Sequence, residues 1–334
     1  MKTISRSIRC AIGGYVAVAV LSGCGGSQSP VVPAVHIDHR VASTGRSDAG
    51  RSWMASQAKS EDLLYVSNVQ TNDVNVYAYP GHRLVGTLTG LGQPRSECVD
   101  AAGDVWIADA EGFELVEYAH GGTKPIAALS TPGRPNGCSV DPTTGNLAVS
   151  GGINPVVVSI YRYYGAHHSW RYENRYTDAA VRLAYFCGYD SRGNLFIDGV
   201  TGREFRFAEL PHRSATFTNI TLSQSIKSPG QVQWDGKHIA VGDSGVSPSV
   251  IYQFSVSGSS GTEVGSTTLD GTKSVKQFWI QSKTVIGPDG DNDDVGFWKY
   301  PAGGSAAGLI GAVDGYGAAV SAAKSSSSPP KRGR

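Results

Sequence analysis

An Asp-led turn between two apolar strands recurs along this chain, and that recurrence limits its fold more than any other feature. Asp100-Ala-Ala-Gly-Asp-Val-Trp-Ile-Ala matches Asp141-Pro-Thr-Thr-Gly-Asn-Leu-Ala-Val and Asp190-Ser-Arg-Gly-Asn-Leu-Phe-Ile, and Asp235-Gly-Lys-His-Ile-Ala-Val is a shortened copy. The aspartates lie about 40 to 50 residues apart, a period at which each repeat is one small sheet that must pack against its neighbours. Two further units keep the apolar pattern without the Asp: Leu63-Leu64-Tyr65-Val66, and Phe278-Trp279-Ile280 followed by Thr284-Val285-Ile286-Gly287.

The remainder of each unit follows suit. After the second strand comes a polar loop, as in Ser67 to Asp73. A third strand follows, as in Val74-Asn-Val-Tyr-Ala-Tyr79-Pro80 and Val295-Gly-Phe-Trp-Lys-Tyr300-Pro301, then a fourth, as in Leu84 to Leu88. Alternation rich in Val, Ile, Tyr and Trp specifies strands rather than helices. Four strands taken six times predict an all-β fold, a six-bladed β-propeller of four-stranded antiparallel blades over residues 61–323. The body opens on a second-strand segment, Leu63 to Val66, and ends on a lone first-strand segment, Gly317 to Ala323. Pairing these two closes the ring and removes its open edges. Because Phe278-Trp279-Ile280 carries no Asp turn, a count differing by one blade stays open.

Leu64-Tyr-Val-Ser-Asn68 followed by Val74-Asn-Val-Tyr-Ala-Tyr-Pro80 resembles YVTN and NHL-type propeller repeats of exported bacterial proteins. Val105-Trp106-Ile107-Ala108-Asp109 and Asn194-Leu195-Phe196-Ile197 are similar to the same motif. The resemblance implies an architecture, and an architecture does not select a function.

The N-terminus implies an address. Lys2, Arg6 and Arg9 precede an apolar run from Ala11 to Val20, the layout of a signal peptide. Leu21-Ser22-Gly23-Cys24 resembles the lipobox of bacterial lipoproteins, which implies cleavage after residue 23 and a lipid on Cys24. The expected organisation is a signal over 1–23, a flexible tether over 24–60, the propeller over 61–323 and a disordered tail over 324–334. The expected location is the outer side of a bacterial membrane, with lipid as the contact. Lys+Arg number 29 against 28 Asp+Glu, with no clustered basic face, so nucleic acid is not an expected partner. A monomer with an unknown protein, glycan or small-molecule ligand at the propeller mouth is expected instead.

Several constellations could carry chemistry. A distant resemblance to gluconolactonase-type six-bladed propellers rests on Pro135-Asn136-Gly137 and on Glu97 in an inner strand. It implies a divalent-cation-dependent lactone hydrolase using Glu97 and Asn136, although Val232 and Gln277 stand where further ligands belong. Asp289, Asp291 and Asp293 have the alternating spacing that can wrap Ca2+, but Asp294 replaces the turn Gly. A solvated acidic loop is the competing reading, and no other cofactor is expected. Cys98, Cys138 and Cys187 occupy equivalent places before successive Asp turns and read as inert core thiols, with one disulfide between neighbours as the alternative. The third unit is enlarged. Its Tyr161-Arg-Tyr-Tyr164 and Trp170-Arg171-Tyr172 mix aromatic rings with Arg as partner-binding surfaces do. A non-catalytic binding or scaffold module is the favoured reading, and the lactone hydrolase is its alternative.

Overall fold

The computed structural model describes residues 50–151, 156–165, 169–311 and 313–324. Their strands form six small sheets, and no α-helix occurs among the described residues. The protein is a six-bladed β-propeller. Blade 1 joins both ends of the body: Gly315–Ser321 is innermost, followed by Asp62–Asn68, Asp73–Tyr79 and Arg83–Leu88. Leu63 pairs with Ser321 and Val66 with Ala318, so the ring closes by antiparallel pairing of the two ends.

Blades 2 to 6 follow in chain order, with Pro94–Val99, Pro135–Val140, Leu183–Tyr189, Pro229–Trp234 and Trp279–Gln281 as inner strands. The described fold begins before residue 61. Trp53–Met54 pairs with the outer strand of blade 1, and Ser56–Ser60 forms a 3-10 turn that buries Ala58. A two-residue strand has no periodicity to read, which is why composition assigned this stretch to the tether.

Each blade buries both faces. Leu63 and Tyr65 join Val105, Ile107 and Val116 of blade 2, whereas Leu64 and Val66 join Ile286, Val295 and Phe297 of blade 6. Adjacent residues on one strand thus serve different cores, so the second strands read as continuous apolar runs. Similar clusters fill the other four seams. Burying these side chains removes apolar area from water at roughly 25 cal/mol per Å2.

The recurrent Asp is a turn device. Oδ1 of Asp100 accepts the N–H groups of Ala102 and Asp104, both at 2.8 Å. Asp190 does the same for Arg192 and Asn194, and Asp235 for Lys237 and His238. The Phe278 unit lacks this Asp and turns instead through Ser282 at φ 57.

Candidate functional site

The axis is where a propeller offers converging groups, and here most of those groups hold the blades together, while both oxygens of the buried Glu97 carboxyl lie without a hydrogen-bond partner among the described residues. Ser67 Oγ of blade 1 donates to Arg95 O of blade 2, and Ser96 Oγ of blade 2 donates to Asn136 O of blade 3 at 2.5 Å. Ser150 Oγ reaches Tyr185 O of blade 4 at 2.8 Å, and the Asp198 carboxylate accepts from Gly230 N of blade 5 at 3.1 Å. Gln231 N donates to Lys276 O of blade 6 at 2.8 Å, and Gln277 N to Tyr316 O of blade 1 at 3.3 Å. Every seam therefore carries a hydrogen bond beside the axis.

Glu97 sits within this ring, fully buried. Its backbone is clamped by the Gln277 side chain, which accepts from Glu97 N at 3.1 Å and donates to Glu97 O at 2.7 Å. The carboxyl occupies space that Gly317 leaves open. Burial pushes its pKa well above the ordinary carboxylate range, with the Ser67 hydroxyl opposing the shift. Asp198 is raised for the same reason, against hydrogen bonds from Phe186 N and Gly230 N.

Asn136 does not complete a cation site with Glu97. Its Oδ1 accepts from the Arg95 guanidinium, and its Nδ2 donates to Ala184 O at 3.3 Å. An amide oxygen facing a guanidinium is turned toward positive charge already present, so the geometry does not favour the lactone-hydrolase alternative. Arg95 also lies 5.7 Å from the centre of the Tyr316 ring, with the Lys276 ammonium at 5.4 Å.

The acidic run is also structural at its base. The buried Asp289 carboxylate accepts from Lys273 N at 2.5 Å, Ser274 N at 3.2 Å and Asn292 Nδ2 at 2.9 Å. A carboxylate turned into backbone amides ties the end of the blade's second strand to the lead-in of its inner strand. Asp109 does this with Gly92 and Gln93, and Asp243 with Lys227 and Ser228. Asp291 and Asp293 are exposed and do not close on Asp289. The carboxylates that do gather among the described residues are those of Asp100, Asp104 and Glu117, within 4.8 Å of one another. Burial, then the charges of Asp100 and Asp104, push Glu117 up to about 8. The Asp-turn spacing pointed to Asp100 and Asp104. Nothing in the sequence placed Glu117 of the third strand against them.

The cysteines correct the expectation of three inert thiols. Cys98 and Cys138 form a disulfide between the inner strands of blades 2 and 3, with Cα atoms 5.7 Å apart. Cys187 is a buried thiol, pushed up to about 12 by burial. Equivalent positions on adjacent inner strands lie within bridging reach near the axis, a proximity that chain spacing alone does not show. The disulfide borders an axial cavity of about 290 Å3 that opens where the inner strands end, lined also by Tyr189, Gln231, Trp234 and Trp279.

On the enlarged blade 3, strand alternation sorts the side chains. Tyr161 is buried and Tyr163 half-buried, while Arg162 and Tyr164 face solvent. Trp170 departs from its assignment to a partner-binding surface. It is buried against Trp106, with ring centres 5.0 Å apart, and against Tyr163 at 4.7 Å. It faces the blade 2 seam, where an indole's large apolar surface leaves water. Arg171 and Tyr172 remain exposed. Arg171 and Arg162 lie over the Tyr164 ring at 5.2 and 5.6 Å, and Arg175 over Tyr172 at 5.8 Å. Cys24, proposed to carry lipid, lies outside the described residues.

No family model matches the sequence, and no curated protein matches it. Among solved structures the chain is similar to one in the crystal structure of a nidogen/laminin complex, at 10% identity and a TM-score of 0.63, covering 79% of this chain and 99% of that one. It is also similar to a functionally unknown protein from Desulfotomaculum acetoxidans DSM 771, at 10% identity and a TM-score of 0.55, covering 78% of this chain and 99% of that one. At such identity the likeness is one of fold, and it agrees with a β-propeller.

Proposed function

We propose that this chain is a cell-envelope propeller, anchored through lipid on Cys24, that works as a monomeric, non-catalytic binding or scaffold module. One observation carries the reading. The hydroxyl and amide side chains that converge on the axis, those of Ser67, Ser96, Asn136 and Gln277, are spent on contacts between blades, while Arg171, Tyr172 and Arg175 stand in solvent on blade 3. Export is supported by the basic and apolar leader and by the Cys98–Cys138 disulfide, since such bonds persist in oxidising compartments. The nidogen/laminin complex offers an instance of this fold in a structure of a protein assembly.

In this reading Cys24→Ser releases the protein from the membrane fraction, and inhibiting the lipoprotein signal peptidase makes the uncleaved precursor accumulate. Indifference to both would refute the anchor. Chelator-sensitive lactone hydrolysis lost in Glu97→Gln would refute the non-catalytic role. No calcium is required, so calorimetry with Ca2+ gives no heat and the melting temperature does not rise. Substituting Arg171 and Tyr172 with Ser reduces recovery of a membrane partner in pull-downs while leaving the melting temperature unchanged. Equal recovery would remove blade 3 from the binding surface.

A further inference from the structure

Blade 3 carries an unusual edge. Its outer strand, Ser169–Thr177, is nine residues long, and among the described residues nothing pairs with its far side. The outer strands of blades 2, 4 and 6 are shorter, at six, two and four residues. The other two long or apolar edges are covered by this chain itself. Trp53–Met54 adds an antiparallel strand to blade 1, and Thr221–Leu222 adds a parallel one to the ten-residue outer strand of blade 5. Among the described residues an outer edge is thus extended twice, and the edge of blade 3 is left open.

That edge is well held and well exposed. Trp170 anchors it in the seam with blade 2, while Arg171 through Arg175 all face solvent. Unpaired backbone N–H and C=O groups on an exposed strand are a template for another strand. The side chains around them are cationic and aromatic. Arg162 pairs with Glu173 at 3.5 Å, which leaves Arg171 and Arg175 with no carboxylate partner among the described residues. Arg213 of blade 4 borders the same cleft as Glu173 and Tyr176 of this strand. Asp141 also borders it, but its oxygens are held by Thr143 and Thr144.

We propose that the outer edge of blade 3 binds an extended acidic segment of a partner protein, which adds a fifth strand to that blade. The proposal rests on the binding-module reading and names the partner's chemistry. Backbone pairing supplies affinity in strand addition, and alternate side chains supply specificity. Acidic side chains on one face of the added strand meet Arg171, and those on the other face meet Arg175. The bulge between Ile160 and Tyr161 turns the two arginines to opposite faces, where they stack on Tyr164 and Tyr172 respectively. A second copy is a poor occupant because it would bring the same arginines together.

The test uses the full chain and a fluorescein-labelled peptide of repeating Glu-Glu-Val, which puts Glu on both faces of a strand, followed by anisotropy. Binding is expected to weaken at least tenfold in Arg171→Glu/Arg175→Glu, and to be unchanged in Lys237→Glu/Lys283→Glu, which alters turns elsewhere. It is expected to vanish when alternate peptide nitrogens are methylated, since methylation removes the ladder donors and keeps the charge. No binding of the parent peptide, or equal binding of the methylated one, overturns strand addition. Equally tight binding of a single-stranded oligonucleotide overturns the acidic-protein assignment. A pull-down partner that still depends on Arg171 and Tyr172 would meanwhile preserve the broader reading, so the two failures are distinguishable.

Discussion

Gly317 shows how little room the axis leaves. A Cβ there would fall on Gln277 Oε1 and Arg95 O, and 2.5 Å from Glu97 Oε2. A backbone carbonyl cannot swing aside, so Gly317→Ala should cost at least the ~1–3 kcal/mol of an overpacked core. Urea titration would show it as a lower midpoint, and an unchanged midpoint would mean that the inner strands yield. Glu117 makes a pH-dependent contribution at the same scale. Its folded pKa of about 8 exceeds the ordinary 4.5, so the folded state holds a proton there that the unfolded state has lost. Stability should therefore fall as pH rises from about 4.5 to 8, by at most about 1.4 kcal/mol per unit from this group. Glu117→Gln should flatten that slope and raise the melting temperature more at pH 8 than at pH 5. Equal increments at both would assign the effect to packing alone.

At the scale of elements, the struts and the disulfide decide how firmly each blade is fixed. Asp109, Asp243 and Asp289 each end a second strand and accept amide hydrogen bonds from the lead-in of the same blade's inner strand. Replacing any one with Ala leaves those amides unpaired, at about 1–3 kcal/mol. The Cys98–Cys138 bridge closes a loop of 40 residues across the seam between blades 2 and 3. Loop entropy alone gives such a bridge about 3–4 kcal/mol, so Cys98→Ala/Cys138→Ala should melt well below the parent under non-reducing conditions. Identical melting of parent and variant would show that the bridge adds nothing to the seam. Cys187 should resist alkylation until the fold opens, because its thiol is buried and its thiolate disfavoured.

For the whole molecule, closure is the decisive element. Gly315–Ser321 is the inner strand of a blade whose other strands come from the opposite end of the body, and Ser321 also donates to Gly103 O of blade 2 at 2.6 Å. His120 adds a contact to Ser321 Oγ at 2.6 Å and to Glu61 O at 3.1 Å. Truncation after residue 311 should open the ring and expose Leu64, Val66 and the blade 6 core, producing aggregation and dye binding instead of a cooperative melt. A monomeric truncated protein with a sharp transition would show that pairing of the ends is dispensable.

The repeat period, the strand patterning and the split blade were all legible in the amino-acid order, because Asx turns and alternation are local consequences of residue type. Pro135-Asn136-Gly137 and Asp289 were visible too, but their hydrogen-bond partners come from other blades or other strands, and those partners turned Asn136 and Asp289 from candidate ligands into struts, while Asp291 and Asp293 stayed in solvent. Trp170 was legible as an aromatic and not as a buried one, since its face depends on the seam that blade 2 provides. The Cys98–Cys138 pairing and the gathering of Glu117 with Asp100 and Asp104 likewise required three dimensions. Local chemistry determined which segments are strands; only the packing of one blade against the next decided which polar groups are spent inside and which are left for a partner.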